Sequence, residues 1–294
     1  MFAVEEYFEA KSVAEALKLL AEDHGRQVIA GGSDLLVEMR DRGPESVKLV
    51  SIRRIGALQK IGQGEDGTIT MGPLSTYHAL TSHPLVLNKI PILAEASLTV
   101  GGPQLRHMAT VGGNICNGVP SADSAPPLFT LNALLRLQSE ESERLIPIEQ
   151  FYLGPGRVDL HPGEMLTEIL IRPDDFTGFG GCYIKFAQRK AMDLAIVGVA
   201  VQCRLKEDNL FDQVRISLGV AGPTPLRCKI AEAYATGKLA DDKTAAEVGV
   251  LALESAKARD SVRGSKEYRE HLIVELTRRA LLTAVARSGG AKHA

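Results

Sequence analysis

Two glycine pairs are the residues best placed to do chemistry in this chain. One lies in Val28-Ile29-Ala30-Gly31-Gly32-Ser33-Asp34-Leu35-Leu36, the other in Ala109-Thr110-Val111-Gly112-Gly113-Asn114. The first reads as a short apolar strand, a glycine turn, two N-capping residues and an apolar run that starts a helix. The second reads as another turn. A glycine pair turns tightly and has no Cβ to hold a ligand away. Successive N–H groups at such a turn, or at a helix N-terminus, suit an anionic oxygen. Two such turns facing each other would grip a pyrophosphate from both sides; taken singly, a glycine pair is usually just a turn.

Ser33 and Thr110 add hydroxyl donors and Asn114 an amide. Asp123, in Ser121-Ala122-Asp123, precedes a helix, so on its own it reads as an N-cap. Lys185 sits in the strand Cys182–Phe186, on the face opposite Ile184 and Phe186, and alone it is an ordinary surface lysine. Leu166 alone is a core residue. Arg189-Lys190-Ala191-Met192-Asp193 reads as a salt-bridged loop. No nucleophile or acid–base pair stands out, so no catalytic residue is assigned. Phosphate-loop, zinc-protease, nucleophile-elbow and Rossmann glycine patterns are absent. Cys116, Cys182, Cys203 and Cys228 lack C-x-x-C spacing, and the histidines lack ligand spacing. The chain is therefore expected to hold no metal or iron–sulfur cluster itself. His107 is read as a loop residue.

The formal net charge is −2, with 45% hydrophobic and 24% charged residues. These values describe a globular chain with no electrostatic case for nucleic acid or an acidic membrane. No apolar run approaches the roughly 20 residues of a membrane span. The acidic start Met1–Glu6 does not read as a secretory signal. With scattered thiols, it points to a reducing cytoplasm.

The elements that position these residues follow from pattern. A capping box at Ser12–Glu15 starts a helix, the strand Gln27–Ala30 enters the first glycine turn, and Leu35–Met39 is helical. With a strand at Lys48–Ile52, the first fifty residues form a small β-α-β unit. Strands at Thr68–Met71, Leu134–Gln138 and Met165–Ile171 follow. Helices fall at Tyr77–Thr81, Ile92–Leu98 and Pro127–Asn132, with Tyr152–Gly156 a rigid loop. Pro173–Gly181 is the candidate domain boundary. Beyond it come strands Tyr183–Gln188, Ile196–Leu205 and Val214–Val220, then helices ending at Lys266–Arg287, with Tyr268, Leu272, Leu276 and Ala280 on one face. The tail after Ser288 reads as frayed. Strands followed by helices indicate α+β rather than a doubly wound sheet.

Ala30–Leu35, followed about eighty residues later by Thr110–Asn114, resembles the FAD-binding subunit of the xanthine dehydrogenase family of molybdenum hydroxylases. Asn117-Gly118, Ser121–Pro126 and Arg189–Asp193 extend the resemblance nearly end to end, most closely to the bacterial three-subunit type. It implies an FAD-binding domain at 1–176, with subdomains of about 1–54 and 55–176. A C-terminal α+β domain at 177–290 would carry a three-stranded antiparallel sheet with helices. The FAD shell it implies is Val28, Ile29, Ala30, Gly31, Gly32, Ser33, Asp34, Leu35, Val100, Thr110, Gly112, Gly113, Asn114, Asp123, Leu166 and Lys185. In that shell both glycine turns donate N–H groups to the pyrophosphate. Asp123 accepts from a hydroxyl of the flavin tail, and Lys185 is a cation favouring the reduced ring. Val100 stands where some relatives place an aromatic ring. The Arg189–Asp193 segment would lie near the ring edge where nicotinamide approaches, and Tyr77 is singled out without an assigned role. The implied activity passes electrons from partner iron–sulfur clusters through FAD to NAD+. Molybdenum cofactor and clusters belong to two partner subunits, in a heterotrimer or its dimer. A self-contained FAD reductase or oxidase and a non-catalytic scaffold are the alternatives.

Overall fold

Ser12 starts the first helix as its spacing to Glu15 predicts. In the computed structural model, which describes residues 3–42 and 46–290, Ser12 Oγ accepts from the Glu15 N–H at 3.1 Å. Glu15 Oε2 accepts from the Lys11 N–H at 2.8 Å. The helix, Val13–Glu22, buries Ala16, Leu17 and Leu20 in a small core with Val50 and Ile52. That core lies on a three-stranded parallel sheet ordered Val4–Glu9, Val47–Ser51, Arg26–Ile29. The expected β-α-β unit is present with one strand more. Val4–Glu9 carries three glutamates and shows no strand alternation of its own; pairing with Val47–Ser51 makes it a strand.

The middle of the chain builds a five-stranded antiparallel sheet. Its order is Ile61–Gln63, Ile69–Met71, Met165–Ile171, Leu134–Gln138, Glu143–Pro147. The three strands legible in sequence are its centre. The two that are not lie at its edges, where one is three residues long and the other alternates half-buried with exposed positions. Tyr152–Gly156, expected as a rigid loop, is instead part of a small hairpin with Arg157–Val158. Gly156 makes its turn with φ +67°.

Helices form at Tyr77–Ser82 and Pro91–Leu98 as expected and pack on each other, and Pro84–Lys89 and Pro103–Met108 join them. Each of the last three starts at proline, whose fixed φ and missing N–H suit a first turn. The helix expected at Pro127–Asn132 is Ala125–Thr130, because both prolines fit its first turn. Asn132 lies beyond it at φ +46°.

The C-terminal sheet is antiparallel, in the order Gly180–Phe186, Val197–Leu205, Phe211–Gly219, Leu226–Arg227. It has one strand more than expected, since a two-residue strand shows no period. Tyr183 and Ala200 belong to the middle core. Val197, Val199, Val201 and Cys203 pack instead with the long helix Lys266–Val285. That helix buries Leu272, Leu276 and Ala280, but Tyr268 is half-exposed, edge-on to Phe186. At that end the buried stripe runs through Arg269 and Ile273 instead. The tail expected to fray lies partly outside the described residues. No helix among the described residues is long and apolar enough to cross a membrane.

Candidate functional site

The loop Gly31–Asp34 leaves the strand Arg26–Ile29 and runs into the helix Leu35–Arg42. Gly32 has φ +72°, a left-handed conformation that glycine adopts without strain. Gly31 is required for a different reason. A Cβ there would sit 2.0 Å from the Met108 carbonyl oxygen, so this backbone lies directly against the segment that leads to Thr110. The N–H groups of Gly31, Gly32, Ser33 and Asp34 meet no acceptor among the described residues. They are the free donors of the site.

The second glycine pair is not a turn. It forms the start of the helix Val111–Asn117, with Thr110 as N-cap. Thr110 Oγ accepts from the Gly113 N–H at 3.1 Å, and the Gly112 N–H donates to the Pro73 carbonyl at 2.9 Å. These two N–H groups are therefore already satisfied within the protein, which corrects the expectation that both glycine segments donate to an anion. What the second pair supplies is bare surface. Gly112 packs against Pro73, where a Cβ would lie 2.3 Å from the proline Cβ. At Gly113 a Cβ would meet only Thr110 Oγ, at 3.0 Å. Asn117 Nδ2 donates to Asp34 Oδ2 at 2.9 Å and ties the two segments together across the sequence. Thr110→Val should remove the cap and cost about 1 kcal/mol. A lower urea midpoint at unchanged slope is the reading expected.

Every residue of the implied shell lines one cleft of about 440 Å³. Val28, Met165 and Leu166 give it apolar lining, Val100 and Leu105 add more, and the glycines leave it wide. Asp123 and Lys185 meet inside it. Asp123 Oδ2 is 2.7 Å from Lys185 Nζ, Tyr183 Oη donates to Asp123 Oδ1 at 2.8 Å, and Lys185 also donates to the Thr99 carbonyl at 3.0 Å. Asp123 is therefore no N-cap; Ser124 holds that position and makes no side-chain cap bond. Nor is Lys185 a surface lysine, with its side chain 9% exposed. Burial pushes the Asp123 carboxyl above its ordinary range, against the pull of Lys185 and the Tyr183 hydroxyl. Each carboxylate oxygen keeps a second lone pair for a ligand hydroxyl.

Tyr183 is a cleft partner that the reading of single residues missed. The signal was present, since Tyr183 and Lys185 are two apart on one strand and share a face. Tyr77 is buried and shares a hydrogen bond with Ser124 Oγ at 3.1 Å, and Ser124 donates to Asn114 Oδ1 at 2.7 Å. In the Arg189–Asp193 segment the salt bridge forms, at 3.4 Å, and Asp193 Oδ2 also accepts from the Arg189 N–H at 3.0 Å. Met192, Asp193 and Leu194 reach the cleft, and Leu194 had no motif to mark it. Met192 has φ +58° and is 64% exposed. Cys116 also lines the cleft, but burial pushes its thiol up to about 12, which leaves it a poor nucleophile. His107 is not in a loop; it lies on the helix Pro103–Met108 and stacks on His78 at 3.8 Å.

Residues 2–173 match the family model described as FAD binding domain in molybdopterin dehydrogenase. The chain belongs to this FAD-binding family. Residues 182–284 match the CO dehydrogenase flavoprotein C-terminal domain. The putative xanthine dehydrogenase FAD-binding subunit of Escherichia coli K12 is 37% identical over 290 residues, 99% of each chain. The carbon monoxide dehydrogenase medium chain of Hydrogenophaga pseudoflava is 31% identical, covering 96% of this chain and 97% of that one. A solved carbon monoxide dehydrogenase structure from the same organism superposes with a TM-score of 0.91 at 30% identity, over 98% of this chain and 99% of that chain. These matches make the chain a flavin subunit of the molybdenum hydroxylase family, with the α+β fold of its relatives. The cleft fits the dinucleotide that the family binds. Four unpaired N–H groups suit an anionic bridge, apolar lining suits flat rings, and polar side chains beside them suit hydroxyls.

Proposed function

We propose that this chain is the FAD-bearing electron-transfer subunit of a xanthine dehydrogenase-type molybdenum hydroxylase in the cytoplasm. The observation that carries the reading is the free N–H row of Gly31–Asp34, facing one cleft with the bare surface of Gly112–Gly113. The FAD domain would span 1–176 and the C-terminal domain 177–290. Gly31, Gly32, Ser33 and Asp34 would hold the pyrophosphate, and Val28, Met165 and Leu166 would take apolar parts of the cofactor. Asp123 would accept a hydroxyl. When bound, FAD supplies the step between one-electron iron–sulfur chemistry and hydride transfer. The chain's own residues bind and orient the cofactor and set the charge around it. Partner subunits would carry the molybdenum cofactor and the clusters, in a heterotrimer or its dimer, and NAD+ would be the acceptor.

A self-contained FAD reductase or oxidase needs an acid or base at the ring, and Asp34, Asp123, Lys185 and Asp193 of the cleft are tied in ion pairs or hydrogen bonds. A scaffold reading leaves the unpaired N–H row without a purpose. The purified chain loaded with FAD should pass electrons from NADH to an artificial dye, and should not turn over xanthine or another heterocycle. Its flavin should be released by acid precipitation, since no tethering cysteine or histidine is among the proposed contacts. Heterocycle hydroxylation by this chain alone would overturn the subunit assignment, and a colourless chain that takes up no FAD would remove the whole reading.

A further inference from the structure

The carboxylate in the cleft is held more closely than accepting a hydroxyl requires. Asp123 is 7% exposed, with Lys185 Nζ at 2.7 Å on one oxygen and the Tyr183 hydroxyl at 2.8 Å on the other. Other charged groups on surrounding elements have partners of their own. Glu95, on the helix Pro91–Leu98, accepts from the Tyr183 N–H and pairs with Arg287. Asp34 accepts from Asn117, Asp193 is held by Arg189, and the Tyr77 hydroxyl bonds Ser124. Lys185 is thus the charge in contact with Asp123, and the ionised pair has no net charge. A neutral pair does little for negative charge arriving in the cleft. The resemblance implied a cation at Lys185 that favours the reduced ring, and the structure pairs that cation with Asp123.

We propose that Asp123 is a redox-linked proton site, taking one proton from solvent when flavin in this cleft gains two electrons and returning it on reoxidation. The proposal rests on the reading that flavin occupies the cleft. Two electrons and one proton go to the flavin, leaving it one negative charge. The second proton adds to Asp123 Oδ1, so the pair becomes a carboxylic acid beside an ammonium and carries one positive charge. The Tyr183 hydroxyl donates to Oδ1 while Asp123 is ionised, and it can turn to accept from the new O–H. Lys185 stays on Oδ2. Burial, which disfavours the ionised carboxylate, brings Asp123 closer to this exchange. The electrons come from whatever donor reduces the flavin, and no further reactant is consumed.

The test is the flavin midpoint potential as a function of pH, measured on the FAD-loaded protein with any subunits that copurify. A tenfold change in proton concentration shifts a two-electron couple by about 30 mV for each proton bound. The flavin alone therefore gives about 30 mV per pH unit, and the flavin with Asp123 gives about 59 mV across the neutral range. The parent is expected at about 59 mV and Asp123→Asn at about 30 mV. The reduced-minus-oxidised infrared spectrum of the parent should gain a carboxylic-acid carbonyl band that Asp123→Asn lacks. A parent slope of about 30 mV, or a slope of about 59 mV retained in Asp123→Asn, overturns the proposal. If Asp123→Asn does not retain FAD, Tyr183→Phe provides the second arm. Losing a donor to the ionised form should move the bend in the slope to higher pH, and an unmoved bend with no infrared band in the parent sinks the idea. Failure to bind flavin in the parent overturns the cleft reading itself, whereas a single-proton slope with flavin bound overturns this proposal alone.

Discussion

Gly113→Val is expected to weaken FAD binding at least roughly 100-fold, about 2.8 kcal/mol, while the chain unfolds at close to the parent urea concentration. The first part follows from position. Gly113 lines the cleft, and among the described residues a Cβ there would meet only Thr110 Oγ. A branched side chain there takes up space that the ligand needs. The second part follows from helix physics, because Gly113 lies inside the first turn of Val111–Asn117. Valine is a somewhat better helix residue than glycine, which offsets the tight contact with Thr110. Gly31→Ala is the contrasting control, since its Cβ would lie 2.0 Å from the Met108 carbonyl oxygen. Backbone cannot give way as the end of a side chain can, so this variant should lose stability and FAD together. Titration with FAD and urea unfolding of both variants separate the two roles. If Gly113→Val binds FAD like the parent, that face of the helix does not touch the cofactor.

The difference between these glycines was not legible in the sequence. Both pairs show the same motif, and both read as turns with donors to spare. The Gly31 pair follows a strand and keeps its N–H groups free, because the chain must turn before Leu35 can start a helix. The Gly112 pair follows Thr110, a good N-cap, and the seven-residue helix it opens is too short to show a 3.6-residue period. One of its donors is consumed by Pro73, on a distant segment, and the other by Thr110, its own N-cap. The same limit explains the missed edge strands, whose identity comes from a partner rather than from their own pattern. What the sequence did carry was composition at the cleft, since every residue of the implied shell meets there. It did not carry pairing. Asp123 and Lys185 are 62 residues apart, and nothing local to either announces that one neutralises the other.

Removing the cation from that pair should produce the largest stability effect in the molecule's cleft. Lys185→Met, measured on the chain with flavin removed, is expected to cost about 3–4 kcal/mol at neutral pH, because it leaves Asp123 buried without its partner. The cost has a ceiling. Asp123 can take up a proton, and neutralising a carboxyl with an ordinary value of 3.8 at pH 7 costs about 1.36 × 3.2, or about 4 kcal/mol. The sign of the pH dependence follows from the direction of the shift. Asp123 is raised in the folded chain, so the fold favours its protonated form; that contribution is complete below 3.8 and is lost as pH rises through the raised folded value. Without Lys185 to pull it down, the folded value rises further and the loss extends to higher pH. The gap between Lys185→Met and the parent should therefore be small near pH 4 and widen toward pH 8. Adding Asp123→Asn to Lys185→Met removes the group that needs a partner, and should recover at least half of the loss. Urea unfolding at several pH values gives each quantity. A Lys185→Met deficit that does not change between acid and neutral pH would mean that the lysine contributes by packing its stem, and that the ion pair is incidental to the fold.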